Sequence, residues 1–190
     1  MIRYLLYTIT AILLFSCAQK KSKFPQITIS TNYGKIEAEI YPAKAPKTVA
    51  AFLSYIDKNF YENTSFYRVL KDDDMPTDYN AGLIQGGTWP NLKNVPAITH
   101  EPTTMSGLSH TSGTLSMART GANTATTEFF ICVGDQTSFD AGNSRAKDTF
   151  GFAAFGRVVH GMDIVRKIHN TKNSGDRFID KINIMSITLD

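Results

Sequence analysis

The feature that most constrains the fold is a series of short strand-like segments that continues from residue 26 to the C-terminus. In residues 35–41, apolar Ile36, Ala38 and Ile40 alternate with polar residues, as in a strand with one buried face and one face in water. Glycine-rich connections separate the segments, which favours an antiparallel barrel or sandwich. The predicted strands are 26–31, 35–41, 65–70, 82–87, 113–119, 128–134, 152–159 and 181–189.

Two segments have helical rather than strand periodicity. Residues 45–61 place apolar side chains at helical spacing and carry a proline suited to a first helical turn. Residues 161–169 carry a shorter apolar stripe of Ile164, Val165 and Ile168. Two helices among many strands place the chain in the mainly β class.

The N-terminal residues form a separate segment. An apolar run from residue 4 to residue 15 follows Arg3; it is too short to span a bilayer comfortably and is typical of a signal peptide. The sequence LLFSC (13–17) resembles a bacterial lipobox, in which Cys17 is acylated and becomes the new N-terminus. An ordinary secretory signal with an incidental cysteine is the alternative.

The lipobox interpretation predicts the organisation of the whole chain. It gives a signal peptide at 1–16, lipidated Cys17 with a polar linker through residue 24, and one domain at 25–190. Because two acyl chains anchor a protein stably, we expect a membrane-anchored lipoprotein of the periplasm or cell envelope. Cys132 is the only other cysteine, so a lipidated Cys17 excludes an intramolecular disulfide. We expect Cys132 to be a buried apolar residue.

Composition and motifs argue against several classes of function. The net charge is only +3, without a basic stripe interleaved with aromatic residues, so we expect no nucleic-acid partner. The histidines and cysteines lack zinc-ligand spacing. The aspartates within 72–78 lack EF-hand order and favour a solvated loop. We therefore expect no metal and no cofactor.

One charged side chain interrupts an apolar strand in TSFYRVL, residues 64–70. Simple alternation places Phe66, Arg68 and Leu70 on the same face. Arginine is seldom buried unless it is paired. Taken alone, the pattern fits either an edge-strand arginine paired to a carboxylate or a functional arginine.

Four sequence blocks follow one another along the chain: FYENTSFYRVL (60–70), LIQGGT (83–88), HTSGTLSMARTGANTATTEFFICVGD (110–135) and FGFAAFGRVVHGMDIV (150–165). Together they resemble the cyclophilin family of peptidyl-prolyl isomerases in its bacterial form. The resemblance covers about residues 25–190. It implies an eight-stranded antiparallel barrel capped by two helices, a groove on its outer face, and catalysed rotation of Xaa-Pro peptide bonds.

The resemblance also implies roles for individual residues. Three residues are implied to be catalytic: Arg68 falls on the catalytic arginine, Gln85 on an amide that hydrogen-bonds the substrate backbone, and Phe130 on the floor of the proline pocket. Without the resemblance, Phe130 would be interpreted as a core aromatic residue. Six further residues are predicted to bind substrate, namely Phe66, Leu83, Ala118, Arg119, Phe139 and Phe152.

Several positions depart from the family pattern. Tyr67 replaces a common histidine, Glu128 replaces a frequent glutamine, and Gly82 replaces an apolar residue. The chain is also extended after Leu70 and after Asp140. We expect these differences to affect substrate preference more than the basic reaction.

The expected partners are unfolded or proline-containing polypeptides, together with a membrane contacted through the lipid anchor, and a monomer is expected. Two other functions remain open at this point. One is a non-catalytic module that binds proline peptides or acts as a chaperone on the same barrel. The other is a barrel lipoprotein that binds a small ligand in its interior.

Overall fold

The computed structural model describes residues 22–72, 81–91, 93–143 and 148–190. The predicted signal peptide, the predicted acylation site Cys17 and parts of both predicted insertions lie outside these residues. The helices are α1 (Pro46–Asp57), α2 (Thr103–Ser106) and α3 (Met162–His169). The strands are β1 (Gln26–Thr31), β2 (Gly34–Ile40), β3 (Thr64–Asp72), β4 (Ala81–Gly87), β5 (Thr114–Met117), β6 (Phe129–Val133), β7 (Ala153–His160), β8 (Asn173–Ser174) and β9 (Arg177–Leu189).

Eight strands form a closed antiparallel barrel. Their order is β1-β2-β7-β5-β6-β4-β3-β9, and pairing of β1 with β9 closes it. The predicted fold class is therefore confirmed, and each of the eight predicted strands corresponds to one barrel strand. Among the described strands, the two-residue β8 pairs with β9 alone, as a hairpin appended to the barrel.

The barrel interior is filled by apolar side chains. Ile36, Ala38 and Ile40 are fully buried on one face of β2, as their alternation predicts. Phe52 of α1 packs in the same core, with its ring 4.8 Å from that of Phe155 and 5.5 Å from that of Phe129 between centroids. This packing of large side chains argues against a small-ligand cavity inside the barrel.

Helices α1 and α3 are the two helices predicted from apolar spacing. The α1 helix packs against β7 and β9, and α3 packs against β2, β4 and β6. The α2 helix is additional and has four residues. One turn is too short to show a helical period, so the sequence pattern does not predict it.

A bulge in β3 decides which of its side chains face outward. Phe66 is the last regularly paired residue before the bulge and Arg68 pairs with Gln85, so Tyr67 is an extra residue without a register partner on β4. Phe66 is consequently fully buried inside the barrel, whereas Arg68 and Leu70 line an outer groove. The predicted shared face is therefore wrong for Phe66, and so is its substrate-binding role, because the extra residue shifts the alternation by one position.

The opposite orientations of Phe66 and Leu70 lead to a testable difference in stability. Phe66→Ala removes a fully buried ring, so we expect it to lower the free energy of unfolding by about 3–5 kcal/mol. The matched substitution Leu70→Ala, four residues along the same strand but half-buried in the groove, should cost only about 1 kcal/mol. Urea unfolding of both variants measures the difference. Equal costs would indicate that the two side chains share a face.

Candidate active site

The centre of the candidate site is a row of side chains that crosses three strands. The register pairs Arg68 of β3 with Gln85 of β4, and Gln85 with Phe130 of β6. Residues opposite each other in register project from the same face of a sheet. The three residues predicted to be catalytic are thus neighbours on the outer surface of the barrel, and Arg68 Nη1 donates a hydrogen bond to Gln85 Oε1 at 3.2 Å.

This row lies in a groove with a cavity of about 500 Å³. Eight of the nine predicted catalytic and substrate-binding residues line it, and the exception is Phe66. The lining residues that the sequence did not assign are Leu70, Thr120, Thr124, Thr126 and Glu128. Three of these are threonines with no distinctive spacing, so no sequence signal identified them.

One end of the groove is an apolar pocket built around Phe130. The ring of Phe130 meets that of Phe139 at 5.8 Å and that of Phe152 at 5.4 Å between centroids, both edge to face. Leu83 and Cys132 complete a cluster that is separate from the barrel core. Cys132 is fully buried, as predicted, and burial raises the pKa of its thiol. The pocket therefore offers apolar walls of the kind that a proline ring requires.

The guanidinium of Arg68 is held from two sides. Its Nε donates to Asp176 Oδ2 at 2.7 Å, and Gln85 accepts from Nη1. This hydrogen bond from Arg68 is the largest cause of a lowered pKa at Asp176. Nη2 has no hydrogen-bond partner within the described part of the chain. Arg68 thus pairs with a carboxylate, as one interpretation of the sequence expects, but β3 lies between β4 and β9 rather than at an edge. The same side chain also lines the groove.

A polar triad of buried His110, buried Ser116 and partly exposed Asp140 lies against the apolar pocket. His110 is fully buried; its ring stacks on that of Phe130, with Nδ1 2.6 Å from Asp140 Oδ1 and Nε2 2.9 Å from Ser116 Oγ. Burial lowers the pKa of His110, which favours the neutral ring, and a neutral ring with its proton on Nδ1 fits the contact with the Asp140 carboxylate. The order Asp, His, Ser matches a hydrolase triad, but Ser116 is fully buried and out of reach of a substrate. The triad therefore has a structural role: the His110 ring supports the rings of Phe130 and Phe139.

Arg119 fastens the loop at residue 148 to the groove. Its guanidinium donates two hydrogen bonds to Asp148, at 2.7 and 2.8 Å, and further bonds to the carbonyl of Gly151. It also lies 5.0 Å from the ring centroid of Phe152. The Arg119 side chain is only 2% exposed. It therefore acts on the groove by holding the position of Phe152.

Comparison with known proteins agrees with this geometry. Residues 26–189 match the family model described as cyclophilin type peptidyl-prolyl cis-trans isomerase/CLD. The chain belongs to the cyclophilin family. Its enzymatic activity is peptidyl-prolyl cis-trans isomerisation.

Relatives of this cyclophilin occur in bacteria. It is 40% identical over 147 residues to peptidyl-prolyl cis-trans isomerase B of Escherichia coli, covering 75% of this chain and 82% of the relative. It is 39% identical over 151 residues to a peptidyl-prolyl cis-trans isomerase of Acinetobacter baylyi, covering 78% and 73%. A crystal structure of a Cryptosporidium parvum cyclophilin has the same fold, with a TM-score of 0.70 at 24% identity, and the match covers 88% of this chain and 98% of the other.

One departure from the family pattern has a backbone cause. Gly82 has φ of +150°, and a Cβ added there would lie 1.8 Å from the carbonyl oxygen of Leu70. The strands β3 and β4 therefore approach too closely at this point for any larger residue. Leu70 and Leu83 remain as apolar groove residues on either side of it.

The described residues contain no group of three or more side chains suited to hold a metal ion. No helix within the described ranges has the length and hydropathy needed to cross a membrane.

The Arg119–Asp148 pair makes a prediction about pH. Hydrogen bonds from Arg119 are the main cause that lowers the pKa of Asp148 from 3.8 to about 2. Because this pKa is depressed in the folded state, the stabilisation is complete above the unfolded value and is lost as the pH falls toward 2. We expect Asp148→Asn to lower the urea midpoint at about pH 6 but to match the wild type at about pH 2.

The control for this comparison is Asp180→Asn, which neutralises an exposed carboxylate on β9. It should leave the midpoint nearly unchanged at both pH values. A midpoint difference between Asp148→Asn and the wild type that persists at the lower pH would contradict the assignment.

Proposed function

We propose that this cyclophilin uses Arg68 to accelerate rotation about Xaa-Pro bonds of unfolded or proline-containing polypeptides, and that it assists protein folding outside the cytoplasm. The observation that carries the proposal is the cross-strand row of Arg68, Gln85 and Phe130, which sets a fixed cation beside an apolar pocket. A second crystal structure of a Cryptosporidium parvum cyclophilin, at 23% identity, was determined in the presence of the dipeptide Ala-Pro. The proposed substrate class agrees with that dipeptide.

The reaction explains why an arginine belongs in this groove. Amide resonance gives the peptide bond a rotation barrier of about 18–20 kcal/mol, and prolyl bonds isomerise unaided over tens to hundreds of seconds. Resonance is lost in the twisted transition state, so the prolyl nitrogen gains an available lone pair. An N–H of Arg68 directed at that nitrogen makes a hydrogen bond that is stronger in the transition state than in the ground state, which is the condition for catalysis.

One hydrogen bond does not supply the whole acceleration. A rate increase of about five decades requires roughly 7 kcal/mol, whereas a charge-assisted hydrogen bond contributes about 1.5–3 kcal/mol. The remainder requires a positioned substrate in a setting of low dielectric constant. In this proposal Phe130 and Phe139 clamp the proline ring, and Gln85 holds the neighbouring backbone. Asp176 restricts the direction in which Arg68 presents its free N–H groups.

The direct test replaces the arginine. Arg68→Ala should lower kcat/KM for a proline-limited peptide by about 10- to 150-fold, which corresponds to one charge-assisted hydrogen bond, and should leave the fold intact. Arg68→Lys should recover little, because a lysine cannot bond Asp176 and Gln85 simultaneously in this planar geometry. Protease-coupled or NMR exchange assays measure the rate.

The matched control is Arg157→Ala, which removes an exposed arginine on β7 outside the groove. It should isomerise the peptide at the wild-type rate. Unchanged turnover in Arg68→Ala would contradict the catalytic role of Arg68. Peptide binding by the wild-type protein without acceleration would instead support a non-catalytic binding module.

The extracytoplasmic part of the proposal is supported by the sequence of residues 1–17. An apolar segment ending in LLFSC has the composition of a signal peptide followed by an acylation site. Cys17 is followed by a polar linker with three lysines, and the family match begins at residue 26. A membrane-anchored lipoprotein of the periplasm or cell envelope accounts for this arrangement.

Acylation is tested by metabolic labelling with a radioactive fatty acid in a bacterial host. The wild-type protein should incorporate the label at Cys17 and fractionate with membranes, whereas Cys17→Ala should remain unlabelled. Cys132→Ala is the matched control and should retain the label, since Cys132 is buried in the barrel wall. Label in Cys17→Ala, or none in the wild type, would count against the anchor.

A further inference from the structure

A chain of hydrogen bonds leads from Arg68 along the groove wall to a carboxylate. Gln85 Oε1 accepts from Arg68 Nη1 at 3.2 Å, and Gln85 Nε2 lies 2.6 Å from the hydroxyl oxygen of Tyr67. That hydroxyl donates to Glu128 Oε2 at 2.7 Å. Two of the three positions that depart from the family pattern, Tyr67 and Glu128, are thus bonded to each other and, through Gln85, to Arg68.

The far end of this chain is fixed by the backbone. Glu128 Oε1 accepts the amide N–H of Thr88 at 2.7 Å and that of Trp89 at 3.2 Å, together with hydroxyl bonds from Thr88 and Thr127. Backbone amides only donate, so the group that faces them must accept. Gly87 makes room for it, because a Cβ added there would lie 2.6 Å from the Glu128 carboxylate.

The Glu128 carboxylate determines which group donates and which accepts in every hydrogen bond of this series. A carboxylate can only accept hydrogen bonds. The Tyr67 hydroxyl therefore donates its one proton to Glu128 and accepts a hydrogen bond from the Gln85 amide. Gln85 therefore turns its NH₂ group to Tyr67 and its carbonyl oxygen to Arg68. Burial and the neighbouring Glu128 raise the pKa of Tyr67, which keeps the hydroxyl protonated at neutral pH.

The ring of Tyr67 is itself held in place. Its centroid lies 4.9 Å from that of Trp89, and the guanidinium carbon of Arg177 lies 5.2 Å above it. The bulge that leaves Tyr67 without a register partner on β4 turns this ring to the outer surface beside Gln85. The ring therefore presents its hydroxyl at a fixed point between the amide and the carboxylate.

We propose that Tyr67 and Glu128 are positioning residues for the isomerase reaction, which orient the Gln85 amide so that its carbonyl holds the Arg68 guanidinium. The inference rests on the proposed catalytic role of Arg68. Neither residue needs to touch the prolyl bond. They act by preventing the opposite orientation of the Gln85 amide. In that orientation the NH₂ group of Gln85 would face the Arg68 guanidinium, and both groups can only donate hydrogen bonds.

The substitution Glu128→Gln should reverse the donor and acceptor in the hydrogen bonds between residue 128, Tyr67 and Gln85. The glutamine must face the amides of Thr88 and Trp89 with its carbonyl, which leaves its NH₂ group toward Tyr67. The tyrosine then gives its proton to Gln85, whose carbonyl turns away from Arg68. Tyr67→Phe breaks the chain instead of reversing it. The Gln85 NH₂ group loses its acceptor, so only the bond from Arg68 then holds the orientation of the Gln85 amide.

The experiment is a double-mutant cycle in the peptide isomerisation assay. Glu128→Gln and Tyr67→Phe should each lower kcat by about 5- to 10-fold with little change in KM, the loss expected for one hydrogen bond. The double variant should lose no more than either single variant, because both cut the same chain. Glu62→Gln, which alters an exposed glutamate before β3, is the matched control and should keep the wild-type rate.

The outcomes separate this inference from the proposed function. If Arg68→Ala loses activity while Glu128→Gln and Tyr67→Phe keep the wild-type kcat, or if their losses add, the positioning role is overturned and the role of Arg68 stands. If Arg68→Ala keeps its activity, the proposed function itself fails. For folded wild-type protein, NMR should show contacts from the Gln85 NH₂ protons to the Tyr67 ring. Contacts from these protons to the Arg68 guanidinium instead would overturn the inference without any variant.

Discussion

The site depends on one extra residue in β3. The bulge at Tyr67 lets a single strand bury Phe66 in the barrel and, two positions later, present Arg68 on the outside. A strand without the bulge would place both side chains on one face, with either the ring in water or the guanidinium in the core. Both alternatives are costly, because burying an unpaired charge or exposing a large ring opposes folding. The bulge therefore makes the groove row of Arg68, Gln85 and Phe130 compatible with a packed barrel.

Once Arg68 faces outward, its direction matters more than its contribution to stability. The Arg68 and Asp176 side chains are 34% and 43% exposed, and such ion pairs contribute little to the free energy of unfolding. Asp176 and Gln85 instead bond two different nitrogens of the same planar group. A planar cation bonded at two points keeps few orientations, which is the condition that transition-state stabilisation requires. The Tyr67–Glu128 link extends this control of direction by two more side chains.

How much of this was predictable from the sequence varies with the range of the interaction. The alternation in β2 and the apolar stripe in α3 are local patterns, and they predicted those elements correctly. The groove residues were predicted from the family resemblance, because Phe130 and Leu83 are apolar residues of the kind found in cores. Only the closed barrel shows that they belong to a cluster separate from the barrel core. Asp176 had no sequence signal, because it lies 108 positions from Arg68. The face of Phe66 was predicted wrongly because the bulge depends on how β3 pairs with its neighbouring strands, and the residues of β3 alone do not reveal that pairing.

The most direct measurement of the central claim is a structure of this protein with a bound Ala-Pro peptide. We expect the proline ring to lie against Phe130 and Phe139, and a guanidinium nitrogen of Arg68 to face the prolyl nitrogen. Gln85 should keep its carbonyl oxygen on Arg68 in the same complex. A proline ring bound outside this cavity, for example against the exposed Trp89, or an Arg68 turned away from the prolyl nitrogen, would contradict this mechanism.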